Sequence, residues 1–160
     1  MSNLKVFDNF LEKKDFEKIK EVLFSNYFPW YFIESSTDLR KDQFQFFHLL
    51  YSNYTRNDYF QIINPLIKKI NPAAIHRIKV NLNTKTEKII ETGLHDDLEN
   101  VHFTSGVYFI NDCDGYLRIG DKKIYSKENT FVTFPSHLTH TGTTCTNVDR
   151  RVLINIIYIE

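Results

Sequence analysis

The stretch HDDLENVHFTSGVYFINDCDGYLRIGDKKIYSKENTFVTFPSHLTHTGTTCTNVDRR, residues 95–151, decides how this chain is read. It opens on His95-Asp96-Asp97, carries Phe134-Pro135-Ser136-His137-Leu138-Thr139-His140 near its end, and closes on Arg151. In an extended segment, side chains two apart point to the same side. His95 and Asp97 can therefore present an imidazole and a carboxylate together while Asp96 points away. His140, beyond the turn at Pro135, comes from another strand and is placed to supply a third ligand. Two imidazoles and one carboxylate leave coordination positions open, which suits non-haem Fe(II) working with dioxygen and a chelating cosubstrate. Zinc more often takes a closed tetrahedral set.

Arg151 heads the apolar run that ends at Ile159. A guanidinium there needs a partner, because burying one unpaired is costly. A dicarboxylate supplies it, since the planar fork of arginine matches a carboxylate bidentately. By strand parity Arg151 shares its face with Leu153 and Asn155, whereas Arg150 points with Val152 and Ile154. Arg151 is the expected anchor, with Asn155 as a supporting polar group.

Around this stretch the pattern is mostly β. Val101 to Ile110 reads as a strand, Asn111-Asp112-Cys113-Asp114-Gly115 as a turn and Tyr116 to Ile119 as the returning strand of a hairpin. Lys123 to Tyr125 and Thr130 to Phe134 follow as short strands. Upstream, Ile75 to Asn83 alternates, with Ile78, Val80 and Leu82 on one face and Arg77, Lys79 and Asn81 on the other. That polar face must meet water, outside the protein or in a pocket. Asn83 to Glu91 is charged and turn-like.

The N-terminal part differs. Leu4 to Phe7 reads as a strand, and Lys13 to about Tyr27 as an amphipathic helix with Phe16, Ile19, Val22 and Leu23 at helical spacing, ended by Pro29-Trp30. Glu34 to Asp42 is a polar loop, a plain connector or a cover for a pocket. Phe44 to Tyr51 reads as a strand buried on both faces. From Asn57 helical spacing returns through Tyr59, Ile63, Leu66, Ile67 and Ile70. Pro65 either kinks this helix or starts its second half, and Asn71-Pro72 ends it.

The 160 residues suit one domain, with 1–72 as helical and strand support and 73–160 as the β core. The 20 basic and 20 acidic residues balance, so no global field draws the protein to nucleic acid or an anionic membrane. No segment approaches the roughly 20 apolar residues of a bilayer span, and the expected location is the cytoplasm. Two cysteines, Cys113 and Cys145, are too few and too far apart for a disulfide framework and read as free thiols. Short strands between tight turns, with helices before them, predict an α+β, mainly β fold: a sandwich or barrel with the N-terminal helices packed on one sheet.

The His95-Asp96-Asp97 motif resembles the Fe(II)/2-oxoglutarate-dependent oxygenases of the prolyl hydroxylase-like branch. So do Val107 to Ile119, Phe134-Pro135-Ser136 to His140, and Arg151-Val152-Leu153-Ile154-Asn155. Residues 140–146, with Arg77 to Asn83, are similar to small versions in marine bacteriophages. The resemblance covers about residues 75–159. It implies a double-stranded β-helix (jelly-roll, cupin-like) with iron held by His95, Asp97 and His140 rather than His137. It implies further that Arg151 takes the distal carboxylate of 2-oxoglutarate, which is converted with dioxygen to succinate as a substrate is hydroxylated. That substrate would be a peptidyl residue such as proline, or a small molecule. The chain departs from the family at Asn81 and Phe109, where relatives often place tyrosines that help hold 2-oxoglutarate; Asn81 retains a donor for it. Two rivals stand beside the enzyme: a non-catalytic binding module of the same fold, and a differently metallated cupin-like isomerase or hydrolase. Succinate formation separates them. Composition and spacing leave the substrate and the oligomeric state open.

Overall fold

The computed structural model describes residues 4–34 and 44–160. Its elements in chain order are β1 (Lys5–Phe7), α1 (Lys13–Phe24), β2 (Tyr31–Ile33), β3 (Gln45–Ser52), β4 (Thr55–Arg56), a 3-10 turn (Asp58–Ile63) and α2 (Asn64–Ile70). There follow β5 (Ala74–Thr84), β6 (Thr104–Phe109), β7 (Tyr116–Ile119), β8 (Lys122–Tyr125), β9 (Thr130–Pro135), β10 (His140–Thr141) and β11 (Arg150–Ile159). The strands form a large antiparallel sheet in the order β1-β9-β6-β11-β5-β3-β2, with β4 on β3, and a small sheet in the order β10-β7-β8. The fold is mainly β, as expected.

Alternation along the long strands sorts the core into two layers. Ile78 and Val80 of β5, Val152, Ile154 and Ile156 of β11, and Tyr108 of β6 turn to one face of the large sheet. There they pack with Phe16, Ile19 and Leu23 of α1 and Leu66 of α2. Val107, Phe109, Val132, Phe134 and Leu153 occupy the opposite face and meet Leu117 and Ile119 of the small sheet. The helices thus cover one face and the small sheet the other. Polar side chains of β5 and β11 on the second face line a cavity between the sheets.

The expected hairpin between Val101–Ile110 and Tyr116–Ile119 does not form. Both edges of β6 are taken, by β9 and β11, so β7 pairs instead with β8 and β10 in the other sheet. The intervening residues carry the chain across. Asn111 accepts from the Val152 amide (2.9 Å) and donates to the Arg150 carbonyl (3.0 Å), while the Cys113 amide donates to the Ser126 carbonyl (3.0 Å). Asp114 receives the amide and the hydroxyl of Thr146. The hairpin in this region is β7-β8, turning at Gly120, whose φ of +57° suits glycine.

Other boundaries moved. Helix α1 stops at Phe24, where the Ser25 amide and hydroxyl both donate to the Val22 carbonyl. Pro65 lies at the start of α2, so it begins a second helix after the 3-10 turn. Strand β3 is not buried on both faces: Leu49 is exposed and Phe46 and Phe47 are half-buried, because β3 lies towards the edge of the sheet beside the short β2. Val101 and His102 fall in a turn before β6. The short strands β2, β4 and β10 carry no periodicity that would announce them. The loop expected from Glu34 to Asp42 lies, beyond Glu34, outside the described residues.

Candidate metal centre and anion pocket

His95 and His140 are brought face to face by the backbone. The amide of each donates to the carbonyl of the other at 2.9 Å, a closely bonded antiparallel pair. Directly opposite residues in such a pair turn their side chains to one side, and the two imidazole centroids lie 4.5 Å apart. Asp97 joins them as its amide and that of Leu98 donate to the Ser136 carbonyl (3.1 and 3.3 Å). One nitrogen or oxygen from each of His95, Asp97 and His140 falls within 4.8 Å of the others. Asp97, the carboxylate that parity points to, is the one in this cluster; Asp96 is exposed and also lines the cavity. His137 is exposed and outside the cluster.

The surroundings fit a metal. Nδ1 of His95 lies 3.1 Å from the Gly93 carbonyl and Nδ1 of His140 lies 2.9 Å from the Leu138 carbonyl. A proton on each Nδ1 satisfies these carbonyls and leaves Nε2 as a free lone pair, the tautomer a metal ligand needs. Asp97 accepts from Ser105 Oγ (2.6 Å), Asn155 Nδ2 (3.2 Å) and Arg77 Nη2 (3.2 Å). Burial alone would raise its pKa. Ser105, Arg77 and Asn155, together with His140 when it is charged, outweigh that and hold the carboxyl below its usual range. Burial lowers the pKa of His140 and favours the neutral imidazole.

Arg151 lies on the same face of the large sheet, four residues before Asn155. It is completely buried. Its Nε donates to Ser126 Oγ (2.6 Å), its Nη1 donates to the Thr143 carbonyl (3.2 Å), and Phe109 lies under the guanidinium at 5.4 Å. Nη2 is buried with no partner among the described residues. Among the described residues no carboxylate lies at ion-pair distance from the group, and burial draws its pKa down to about 10. Gly115 makes room for it: a Cβ there would come within 2.6 Å of Arg151 Cδ and of the Thr144 carbonyl oxygen. Arg150 turns to the other face, where its guanidinium covers Phe24 at 4.5 Å. The choice between the two arginines by parity agrees with this geometry.

A cavity of about 180 Å³ joins these groups, running from His95, Asp97 and His140 to Arg151 with Arg77, Lys79 and Asn81 of β5 along its wall. The polar face of β5 thus meets a pocket rather than open surface. Asn81 Oδ1 and Arg77 Nε are buried without partners among the described residues. Burial, with Arg77 nearby, draws the Lys79 pKa down to about 8. Asn155, expected as a supporting group beside the anchor, lines the same cavity and braces Asp97. Ser105, Ser126, Thr143 and Gly115 were not foreseen. Each acts through local contacts, and small residues in strands and turns carry no sequence signal for that.

No known family profile and no curated protein matches the sequence. Solved structures do match. A prolyl-4-hydroxylase from Pseudomonas putida is 11% identical, with a TM-score of 0.64, and the alignment covers 100% of this chain and 94% of that one. An oxidoreductase of the 2OG-Fe(II) oxygenase family from Burkholderia pseudomallei is 10% identical over 97% of this chain and 84% of that one, with a TM-score of 0.69. A prolyl hydroxylase from Trichoplax adhaerens, in complex with a hypoxia inducible factor oxygen degradation domain peptide fragment, is 14% identical with a TM-score of 0.64, over 98% and 83%. At these identities the likeness is one of fold, and the fold is the double-stranded β-helix.

Proposed function

We propose that the protein is an Fe(II)/2-oxoglutarate-dependent dioxygenase of the hydroxylase type, with His95, Asp97 and His140 as iron ligands and Arg151 as the anchor of the cosubstrate. The observation that carries this reading is the unpartnered Nη2 of Arg151, wholly buried at one end of a cavity whose other end holds two imidazoles and a carboxylate. A lone structural metal site has no use for a buried, uncompensated cation at that distance. A five-carbon dicarboxylate answers both features: one carboxylate meets the free Nη2 of Arg151 and the 2-oxo acid end is directed to the ligand cluster.

When bound, iron supplies the activation of dioxygen that couples decarboxylation of 2-oxoglutarate to succinate with insertion of one oxygen atom into a substrate C–H bond. The chain's residues do the rest. Ser126 and the Thr143 carbonyl fix the guanidinium so that one nitrogen stays free for the incoming carboxylate. The Gly93 and Leu138 carbonyls hold each imidazole proton on Nδ1. Ser105, Asn155 and Arg77 keep Asp97 ionised and aimed. Asn81, also on the cavity wall, is assigned to the cosubstrate in place of the tyrosine found in relatives. His95-Asp96-Asp97, Arg151 to Asn155 and residues 140–146 support a place in the prolyl hydroxylase-like branch, near its small bacteriophage versions, with a peptidyl residue or a small molecule as substrate.

The test is succinate formation from 2-oxoglutarate by purified protein with Fe(II) under air. Slow uncoupled turnover is expected, abolished in Asp97→Ala. Protein that demonstrably binds iron yet forms no succinate, with or without candidate substrates, would return the chain to the class of binding modules.

A further inference from the structure

Among the described residues, three cations and two carboxylates line the cavity: Arg77, Lys79 and Arg151 against Asp96 and Asp97. On the functional reading above, on which this inference rests, a divalent metal and a dianionic cosubstrate cancel one another. One positive charge then remains. Arg77 is matched, because its Nη2 lies 3.2 Å from Asp97. Arg151 meets one carboxylate of the cosubstrate, whose other carboxylate faces the metal, so the surplus is a property of the whole site rather than of Arg151. Lys79 is the group with no counterpart: among the described residues its ammonium has no carboxylate within ion-pair distance, and it rests 6.0 Å from the Phe47 ring centroid on the β3 side of the cavity.

Its position is as telling as its charge. Lys79 pairs across the sheet with Asn155, the residue that holds Asp97, whereas Arg151 pairs with Asn83. Four strand residues, roughly 13 Å of main chain, separate the two levels. Lys79 therefore stands at the metal end of the cavity, not at the anchor end. Arg77, two residues away on the same face, adds a buried Nε without an acceptor. The Lys79 ammonium, with no carboxylate at ion-pair distance among the described residues, and the buried Arg77 Nε stand at successive inward positions of one strand, beside the centre where oxidation would occur, and make a second anion subsite.

We propose that Lys79, with Arg77 Nε, receives an anionic group of the substrate, a carboxylate or a phosphate, so that the molecule oxidised is an acid rather than a neutral amide or alcohol. The charge-assisted contact holds the acid with its neighbouring carbon beside the metal. A half-buried ammonium would also strengthen the contact relative to one in water.

The test uses full-length protein loaded with Mn(II) and saturating 2-oxoglutarate under nitrogen, with loading measured first by calorimetry. Benzoate, benzamide and phenyl phosphate are then titrated. Benzoate or phenyl phosphate should bind about tenfold or more tightly than benzamide, and whichever is tighter identifies the anion. Raising 2-oxoglutarate further should leave that affinity unchanged. Lys79→Gln should abolish the preference while 2-oxoglutarate affinity stays within about twofold, and Lys79→Arg should retain it. Equal binding of the acid and amide to loaded protein, or an undiminished preference in a loaded Lys79→Gln protein, would overturn the subsite and leave the dioxygenase reading intact. Failure of the protein to load would overturn both, and the loading step reads that outcome separately.

Discussion

Arg151 and its neighbours make the sharpest claims at the level of single residues. Replacing Arg151 by alanine removes a charge-assisted contact of ~1.5–3 kcal/mol. The 2-oxoglutarate concentration for half-saturation should rise about ten- to a hundredfold, with Mn(II) affinity unchanged; Arg150→Ala should alter neither. Gly115→Ala tests the same group from behind. The added methyl meets Arg151 Cδ and the Thr144 carbonyl, and overpacking of this kind costs about 1–3 kcal/mol. Weaker 2-oxoglutarate binding together with a lower Tm is expected, and a variant with neither change would show that the guanidinium has room to spare. Asp97→Ala should abolish metal binding in titration, because it removes a ligand and frees Ser105, Asn155 and Arg77 at once. The sequence made much of this legible. Strand parity picked Asp97 over Asp96 and Arg151 over Arg150, since both questions concern which side of an extended chain a residue faces. It could not show that Asn155 also braces Asp97, because that depends on how far strands β5 and β11 bring Arg77 and Asn155 towards residue 97.

Among the elements, the instructive difference is the link between β6 and β7. A turn-rich pentapeptide between two apolar runs reads as a hairpin, and local chemistry offers nothing against it. What forbids it is competition: β9 and β11 already occupy both edges of β6. Non-local pairing of that kind leaves no trace in either run, whereas the long alternating strand β5 was legible because its own pattern reports its two faces. The N-terminal segment is joined to this framework by Asn129. Its Oδ1 accepts from the Leu11 amide (2.8 Å) and the Tyr108 hydroxyl (2.7 Å), and its Nδ2 donates to the Leu11 carbonyl (2.8 Å). Asn129→Ala leaves these buried groups without partners and should cost about 2–4 kcal/mol, read as a lower urea midpoint. A loss below about 0.5 kcal/mol would mean that water substitutes there.

For the molecule as a whole, the candidate ligands tie separate parts of the chain together. His95 and Asp97 lie in the irregular segment after β5, and His140 lies in the small sheet. A metal bound to all three should add stability by mass action, about 2.7 kcal/mol at a hundredfold excess over Kd. For a chain of this size that is a Tm rise of roughly 5–10 °C, reversed by chelator and absent in Asp97→Ala. The buried fork of Arg151 has a further consequence. Without its carboxylate the native state holds a desolvated charge that the unfolded chain would expose to water, so the ligand-free protein is the form most easily opened and degraded. The half-life of the polypeptide under proteolysis should accordingly lengthen as 2-oxoglutarate is raised. Supply of a central metabolite would then govern how much of this protein survives in a cell, before any question of how fast it works.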